Sequence, residues 1–281
     1  MAVLGSNNYG KSKVRMVKVS RDGARHSVRE ISVDIALEGD FAAIHLKGDN
    51  ANCLPTDTMK NTVYALGKDH PIETIESFGL HLARHFVEKT APVSGARVRI
   101  TGVPWERVRL EGGEHPHTFT KGSEERETCE VSVDKKGAAR VTGGMEGFKI
   151  LKSTDSAFSG YLKDRFTTLP ETRDRIFSTT VAATWKYNSD KADFGRARAA
   201  IRGAMIRTFA GHKSESVQQT LFAMGEAALA ACADISEIRI SLPNSHCLLI
   251  NLAPFGMQNA NEIFVPTDEP HGLIEATIGR G

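Results

Sequence analysis

The chain lacks any run of the roughly 18–20 apolar residues that a bilayer-spanning helix requires. Its four cysteines, Cys53, Cys129, Cys232 and Cys247, lie far apart with no Cys-x-x-Cys spacing. That argues against a disulfide framework and for free thiols in a reducing compartment. An excess of one charge is missing too: 36 Lys and Arg face 34 Asp and Glu, a formal +2, and no basic run suited to coating phosphates occurs. Nucleic acid is therefore not an expected partner. Met1 to Asn8 lack the basic-then-apolar order of a secretory signal. The last residues, Ile278-Gly279-Arg280-Gly281, do not carry the Ser-Lys-Leu peroxisomal address. A Gly-rich phosphate loop, a Gly-x-Ser-x-Gly elbow and a dinucleotide fingerprint are all absent, so no organic cofactor is signalled. The expectation is a cytoplasmic protein that engages neither membrane nor nucleic acid.

What is present is a 281-residue chain with 40% hydrophobic content, enough for one large core or two of moderate size. Residues 13–19 alternate apolar and polar, as do Ile31, Val33, Ile35 and Leu37 with their neighbours. Both predict half-buried strands, joined at Arg21-Asp22-Gly23. Two helices follow. Met59, Val63 and Leu66 mark the first, over 56–67; Ile75, Phe78, Leu82 and Phe86 mark the second, over 71–89, with Pro71 at its start. Alternation returns at Arg97–Thr101, and 116–133 reads as a strand pair broken by a charged turn at Lys121–Arg126.

The second half repeats this order: strands near 139–152 and 179–187, a helix over 192–210 presenting Phe194, Ile201, Met205 and Phe209, a helix over 216–233 presenting Val217, Leu221, Met224 and Ala228, then a strand at Glu237–Leu242. Pro243-Asn244-Ser245 reads as an interruption, followed by Cys247–Leu252 and two strands near 262–266 and 273–278. The repeat predicts an α+β fold of two tandem domains, 9–136 and 137–280, each an antiparallel sheet with paired helices on one face. Sheets of this size leave unpaired edges, an association liability. Joining edges between halves and subunits into a barrel relieves it, so a ring-shaped homo-oligomer with sites at subunit boundaries is expected.

Several residues invite chemistry, each against a plainer role. Thr56 and Asp57 open a helix, where they serve either as caps or beside N–H donors that hold an anion. Lys11 is either solvated or, desolvated beside a hydroxyl such as that of Thr56, a general base. Phe158, in the polar loop Ser153–Gly160, either covers a small core or offers a face to a planar heterocycle. Arg175 either pairs on the surface or forks two hydrogen bonds onto a ring edge. Gln218 follows the N-cap residue Ser216 and Val217, and its amide suits the lactam edge of a purine. Asn244 and His246 sit together after Pro243. His115 and His117 could supply two metal ligands, but no third stands at a persuasive spacing, so no metal is expected.

Taken together, Tyr9-Gly10-Lys11, Thr56–Thr62, Lys152-Ser153-Thr154 through Phe158, Phe166–Leu169, Asp174-Arg175, Ser216-Val217-Gln218 and Leu242–His246 resemble the motifs of the urate oxidase (uricase) family, in the same order, from about residue 9 to 280. The resemblance implies the tunnelling fold, a homotetrameric barrel with active sites between subunits, and oxidation of urate by O2 and water to 5-hydroxyisourate and hydrogen peroxide without a cofactor. It implies that Phe158 stacks on the purine, that Arg175 and Gln218 grip its edge with help from the Val217 N–H, and that Thr56 and Asp57 come from a neighbouring subunit. Lys11, Thr56 and His246 then relay protons, while Asn244 and Thr56 hold dioxygen. Ser159 and Cys247 depart from the family pattern; neither carries an implied role. A zinc-dependent pterin- or purine-transforming relative and a non-catalytic purine-binding oligomer are the rival readings.

Overall fold

The computed structural model describes residues 2–281. By internal contacts the chain divides into two compact units, one comprising Met1–Gly144 with Lys186–Arg198 and the other Met145–Trp185 with Ala199–Gly281. The duplicated sequence halves, 9–136 and 137–280, remain our proposal for the repeat boundary.

In the first unit, β1 (Tyr9–Ser20), β2 (Ser27–Gly39), β3 (Val93–Val103) and β6 (Arg126–Asp134) hydrogen-bond in that order, each pair antiparallel. Alternation decides which face is buried. Val33 lies opposite Ile100, and Ile100 opposite Cys129; Ile35 opposite Val98, and Val98 opposite Val131. All six are buried, so two apolar rows run across three strands. Onto β3 and β6 packs α3 (Ile75–Lys89), burying Ile75, Phe78, Leu82 and Phe86 at spacings of three, four and four. Each such side chain contributes about 1.5–3 kcal/mol by leaving water. Beside it α2 (Thr56–Asp69) packs on β1, and the Lys18 ammonium donates to the carbonyls of Gly67, Lys68 and His70, closing the C-terminus of α2.

Some expectations require correction here. Pro71 does not open α3: Ile72 adopts φ 54°, and Thr74 is the N-cap, its Oγ1 accepting from the Ser77 N–H at 3.2 Å. Nor do the two strands within 116–133 pair with each other. β5 (Gly113–Thr120) pairs with β4 (Glu106–Leu110) as a separate ribbon, and β6 joins β3, because only β6 carries the alternating row Cys129, Val131, Val133 that the core accepts. A short helix, α1 (Ala42–Lys47), was not anticipated; it buries no residue.

The second unit holds, in this order, β7 (Ala139–Lys152) from Met145 onward, β8 (Phe177–Tyr187) up to Trp185, β9 (Ile235–Leu249) and β10 (Phe264–Gly279). The expected apolar faces of α4 (Phe194–Gly211) and α5 (Val217–Ala231) are buried, Ile201, Met205, Leu221 and Met224 among them, and α5 packs on β9 and β10. Pro243 does not interrupt β9, which runs unbroken past it with Pro243 opposite Leu273. The irregularity falls on the partner strand instead, between Thr267 and Gly272, so the two expected final strands are one strand carrying a bulge. Among the described residues β1 and β10 each have one neighbouring strand, so no barrel closes within one chain. No helix among them is long and apolar enough to cross a membrane.

One buried ion pair braces the first unit. Glu76, at the start of α3, has 0% exposure and accepts from Arg198, whose guanidinium also donates to the carbonyls of Gly144 and Thr128. Burial pushes the Glu76 carboxyl up, and the Arg198 charge opposes that shift. Arg198→Met would strand the carboxylate, a loss of about 3–5 kcal/mol for a broken buried pair. Urea unfolding checks it; an unchanged midpoint would show that Glu76 does not need Arg198.

Candidate active site

The expected residues fall into two groups, one on each unit. In the first, Lys11 lies on β1 opposite Ile35, just before a bulge at which β1 shifts register between Lys11 and Val14. Lys13 there adopts φ 59° and donates its N–H to Asp34 Oδ1 at 2.9 Å. Bulges commonly re-aim a side chain beside a site. Thr56 and Asp57 are the first two residues of α2, but neither is its cap. The N-cap position is Pro55, which offers no side-chain acceptor, and the first closing bond is from the Met59 N–H to the Pro55 carbonyl at 3.2 Å.

The N–H groups of Thr56, Asp57 and Thr58 therefore find no partner among the described residues, which leaves a donor cluster at the positive end of a 14-residue helix. Asp57 does not fold back over them. Its carboxylate binds Lys60 Nζ and, at 3.0 Å, Asn61 Nδ2 on its own helix. Lys60 chiefly, with Asn61 and the Lys11 charge adding smaller effects, holds that carboxyl below its ordinary value.

In the second unit, Phe158 is not a solitary aromatic. It stacks on Tyr161 with centroids 4.8 Å apart and planes 14° from parallel, and it is only half-buried, so it does not cover a core. Paired backbone bonds to Thr172, at 2.8 and 3.0 Å, hold the loop. The Arg175 guanidinium lies over the same ring, its central carbon 5.4 Å from the centroid. Partial burial lowers its pKa, yet a guanidinium remains cationic. Arg175 belongs to the segment entering β8; Asn244 and His246 lie on β9. These three line a cavity of ≈ 620 Å³ that also takes in Ser153, Asp174 and Phe264.

Val217 and Gln218 do not line that cavity, but a continuous set of bonds ties them to the Phe158 loop. Ala157 N–H donates to the Ser214 carbonyl at 2.7 Å, and Ser214 N–H to that of Asp155 at 2.9 Å. Ser214, with 0% exposure, shares a 2.7 Å hydroxyl contact with Thr220 on α5. Ser216 caps α5 as expected, accepting from the Gln219 N–H at 3.1 Å. Thr220 N–H bonds the Ser216 carbonyl, which leaves the N–H groups of Val217 and Gln218 without partners among the described residues. Tyr161 was missed as a member of this site, although its three-residue separation from Phe158 was a usable signal. His115 and His117 do meet, with ring centroids 4.6 Å apart. No cluster of three or more metal-ligating side chains occurs among the described residues.

Ser214→Ala removes the buried hydroxyl link between the Phe158 loop and α5. It should lower unfolding free energy by about 1 kcal/mol, the net worth of one such bond, as read by urea titration; an unaltered midpoint would deny the link any role.

Comparison with known proteins returns one family. The uricase family model matches the chain twice, over residues 7–132 and 141–275, so the tandem repeat is one of that family's domain. A uricase from Arthrobacter globiformis is 44% identical over 278 residues, covering 99% of this chain and 90% of that protein. A uricase from Danio rerio is 37% identical, covering 97% and 93%. The crystal structure of the Arthrobacter globiformis uricase superposes with a TM-score of 0.93 at 43% identity, covering 100% of this chain and 96% of that one.

Proposed function

The chain belongs to the uricase family and is a urate oxidase, an oxidoreductase; from that premise we propose that it converts urate, O2 and water to 5-hydroxyisourate and hydrogen peroxide with no cofactor. Urate supplies the two electrons and O2 accepts them; one oxygen atom of water ends in the product. Ground-state O2 is a triplet, so its direct two-electron reaction with a closed-shell purine is spin-restricted. An electron-rich urate dianion can release electrons singly, which leaves the protein to deprotonate, orient and stabilise charge.

The observation that carries this reading is Arg175, its cation over the face of Phe158 while lining a cavity with Asn244 and His246. A flat anion stacked on Phe158 meets a planar, partly desolvated donor fork there. Gln218 and the Val217 N–H grip the far edge of the ring, a role supported by the free donors at the start of α5. Thr56 and Asp57 of a neighbouring subunit meet the five-membered ring, chiefly through main-chain N–H groups, as their uncapped helix start favours. Lys11 takes a proton through the Thr56 hydroxyl, and His246 extends the relay to water. Asn244 and Thr56 hold O2, then water or peroxide, over the ring. The assembly is a homotetramer with interfacial sites, and the open edges at β1 and β10 support it. Four cysteines that form no disulfide accord with a cytoplasmic setting.

Lys11→Met and Thr56→Ala should each slow turnover by at least about 100-fold, within the range that general acid–base catalysis contributes, while leaving the affinity for a non-reactive urate analogue nearly intact. Full activity in both would refute the relay. Arg175→Ala should instead weaken analogue binding by about tenfold or more, as loss of a charge-assisted contact of about 1.5–3 kcal/mol implies; unaltered affinity would count against its assignment. Chelator-treated protein in air should consume urate and release peroxide in equal amounts. Stoichiometric zinc held through His115 and His117 would favour the metal-dependent rival, and analogue binding without peroxide the non-catalytic one.

A further inference from the structure

Tyr9 stands two residues before Lys11 on β1, and its hydroxyl closes on the chain just ahead of α2. It accepts from the Leu54 N–H at 2.8 Å and donates to the Leu54 carbonyl at 3.2 Å. Both polar groups of one residue are thereby held by one side chain, and only Pro55 separates that residue from Thr56. The phenol ring is fixed in turn by Phe41, edge-on at a centroid distance of 4.7 Å, and Phe41 is fully buried. Between Tyr9 and Lys11 lies Gly10, where a Cβ would stand 1.7 Å from the Ile35 carbonyl oxygen. Only a residue without a side chain lets β1 keep this path along β2. Residues two apart on a strand share a face, so Tyr9 and Lys11 project to the same side.

We infer that Tyr9 is a positioning residue for the Lys11–Thr56 pair: its two-bond clasp on Leu54 sets the uncapped start of α2 against the strand that carries the lysine. The inference rests on the relay reading above. Without the clasp, Pro55 gives α2 no side-chain cap, and the loop ahead of it keeps short-range bonds: Cys53 N–H to the Asn50 carbonyl at 2.9 Å, Ala51 N–H to Asp49 Oδ1 at 3.0 Å, Asp49 N–H to the Ala43 carbonyl at 3.3 Å, and contacts of Asn52 with Asp40. Lys11 would then face a hydroxyl free to wander, and a misplacement of about 1 Å can cost about 100-fold in rate. Tyr9 itself is no proton carrier at working pH. Desolvation above all, with the Cys53 thiol adding and the Leu54 backbone bond opposing, pushes its phenol up to about 12. The clasp is accordingly intact below the ordinary tyrosine value and is lost only as pH rises through about 12.

The test is Tyr9→Phe, which keeps the ring on Phe41 and so preserves the packing, measured alone and in the Lys11→Met background. Alone, it should lower kcat by about tenfold or more, a fraction of the full misplacement cost, with analogue affinity little changed and the shape of the pH profile retained. In the Lys11→Met background it should cost almost nothing further, since two residues acting through one step are not additive. Wild-type kcat in Tyr9→Phe, or the same fold loss in both backgrounds, would overturn the inference while leaving a slow Lys11→Met to support the relay. Full activity in Lys11→Met and Thr56→Ala would overturn both readings together. Should Tyr9→Phe unfold, Phe41→Leu, which loosens the ring without touching its hydroxyl, offers the same cycle with the same criteria.

Discussion

An α-helix begins with N–H groups that its own backbone cannot satisfy, and α2 and α5 leave several of them open beside the expected site residues. Among α2, α3 and α5 only α2 lacks a side-chain cap: at α3 Thr74 accepts from the Ser77 N–H, just as Ser216 accepts from the Gln219 N–H at α5. At α2 the corresponding position is Pro55, incapable of capping with a side chain, and three donors stay free. At α5 Ser216 satisfies only the Gln219 N–H, so the two preceding donors stay free. Each half of the duplicated chain thus presents a partly unsatisfied helix start, where backbone donors and the helix dipole together favour a negative partner. The surrounding structure orients these ends: Tyr9 and the bulge of β1 at the first, the Ser214 bridge at the second.

The elements themselves were largely legible. In α3, α4 and α5 the apolar faces expected to be buried are buried, since periodicity reports directly on which side leaves water. In α2, by contrast, Met59 and Val63 are buried and Leu66 only partly. The errors concentrate at proline and at pairing. Pro71 matched a common helix start, yet the chain takes a left-handed turn at Ile72 before Thr74 begins the helix. Pro243 looked like an ending, but a strand can carry proline wherever its missing N–H is not needed, and the bulge on β10 absorbs the misfit. The pairing of β5 with β4 depends on which strand the core can accept, and local alternation does not encode that choice.

The site was legible as residue types and opaque as contacts. Arg175 and Phe158 were both singled out, but their direct approach, cation over ring, joins positions separated by a loop whose path no periodicity describes. Tyr161 escaped notice for the same reason. It stacks on Phe158, and Lys163 and Glu171 pair nearby at 2.7 Å. At Thr56 and Asp57 the sequence leaves capping and anion binding open, since hydroxyl and carboxylate side chains at a helix start usually cap. What decides otherwise is Pro55, one residue earlier, whose consequence depends on the helix beginning at Thr56 rather than a residue later.

Asp57 poses the sharpest electrostatic question, since a carboxylate beside donors meant for an anion ought to repel it or take its place. The geometry answers both objections. Lys60 and Asn61, three and four residues along the same helix, hold the carboxylate on the flank of α2, the separations that bring helical side chains together. Its charge is thereby offset locally by Lys60, with Lys11 adding a weaker attraction, and a pair this exposed is screened by water at short range. The N–H donors of the first turn are left without a side-chain partner among the described residues. Arg175 works under the opposite condition: its partial removal from water is unfavourable on its own but strengthens its attraction to whatever anion displaces the remaining solvent. A screened anion on one element and a desolvated cation on another therefore favour the same kind of ligand, a flat and negatively charged one.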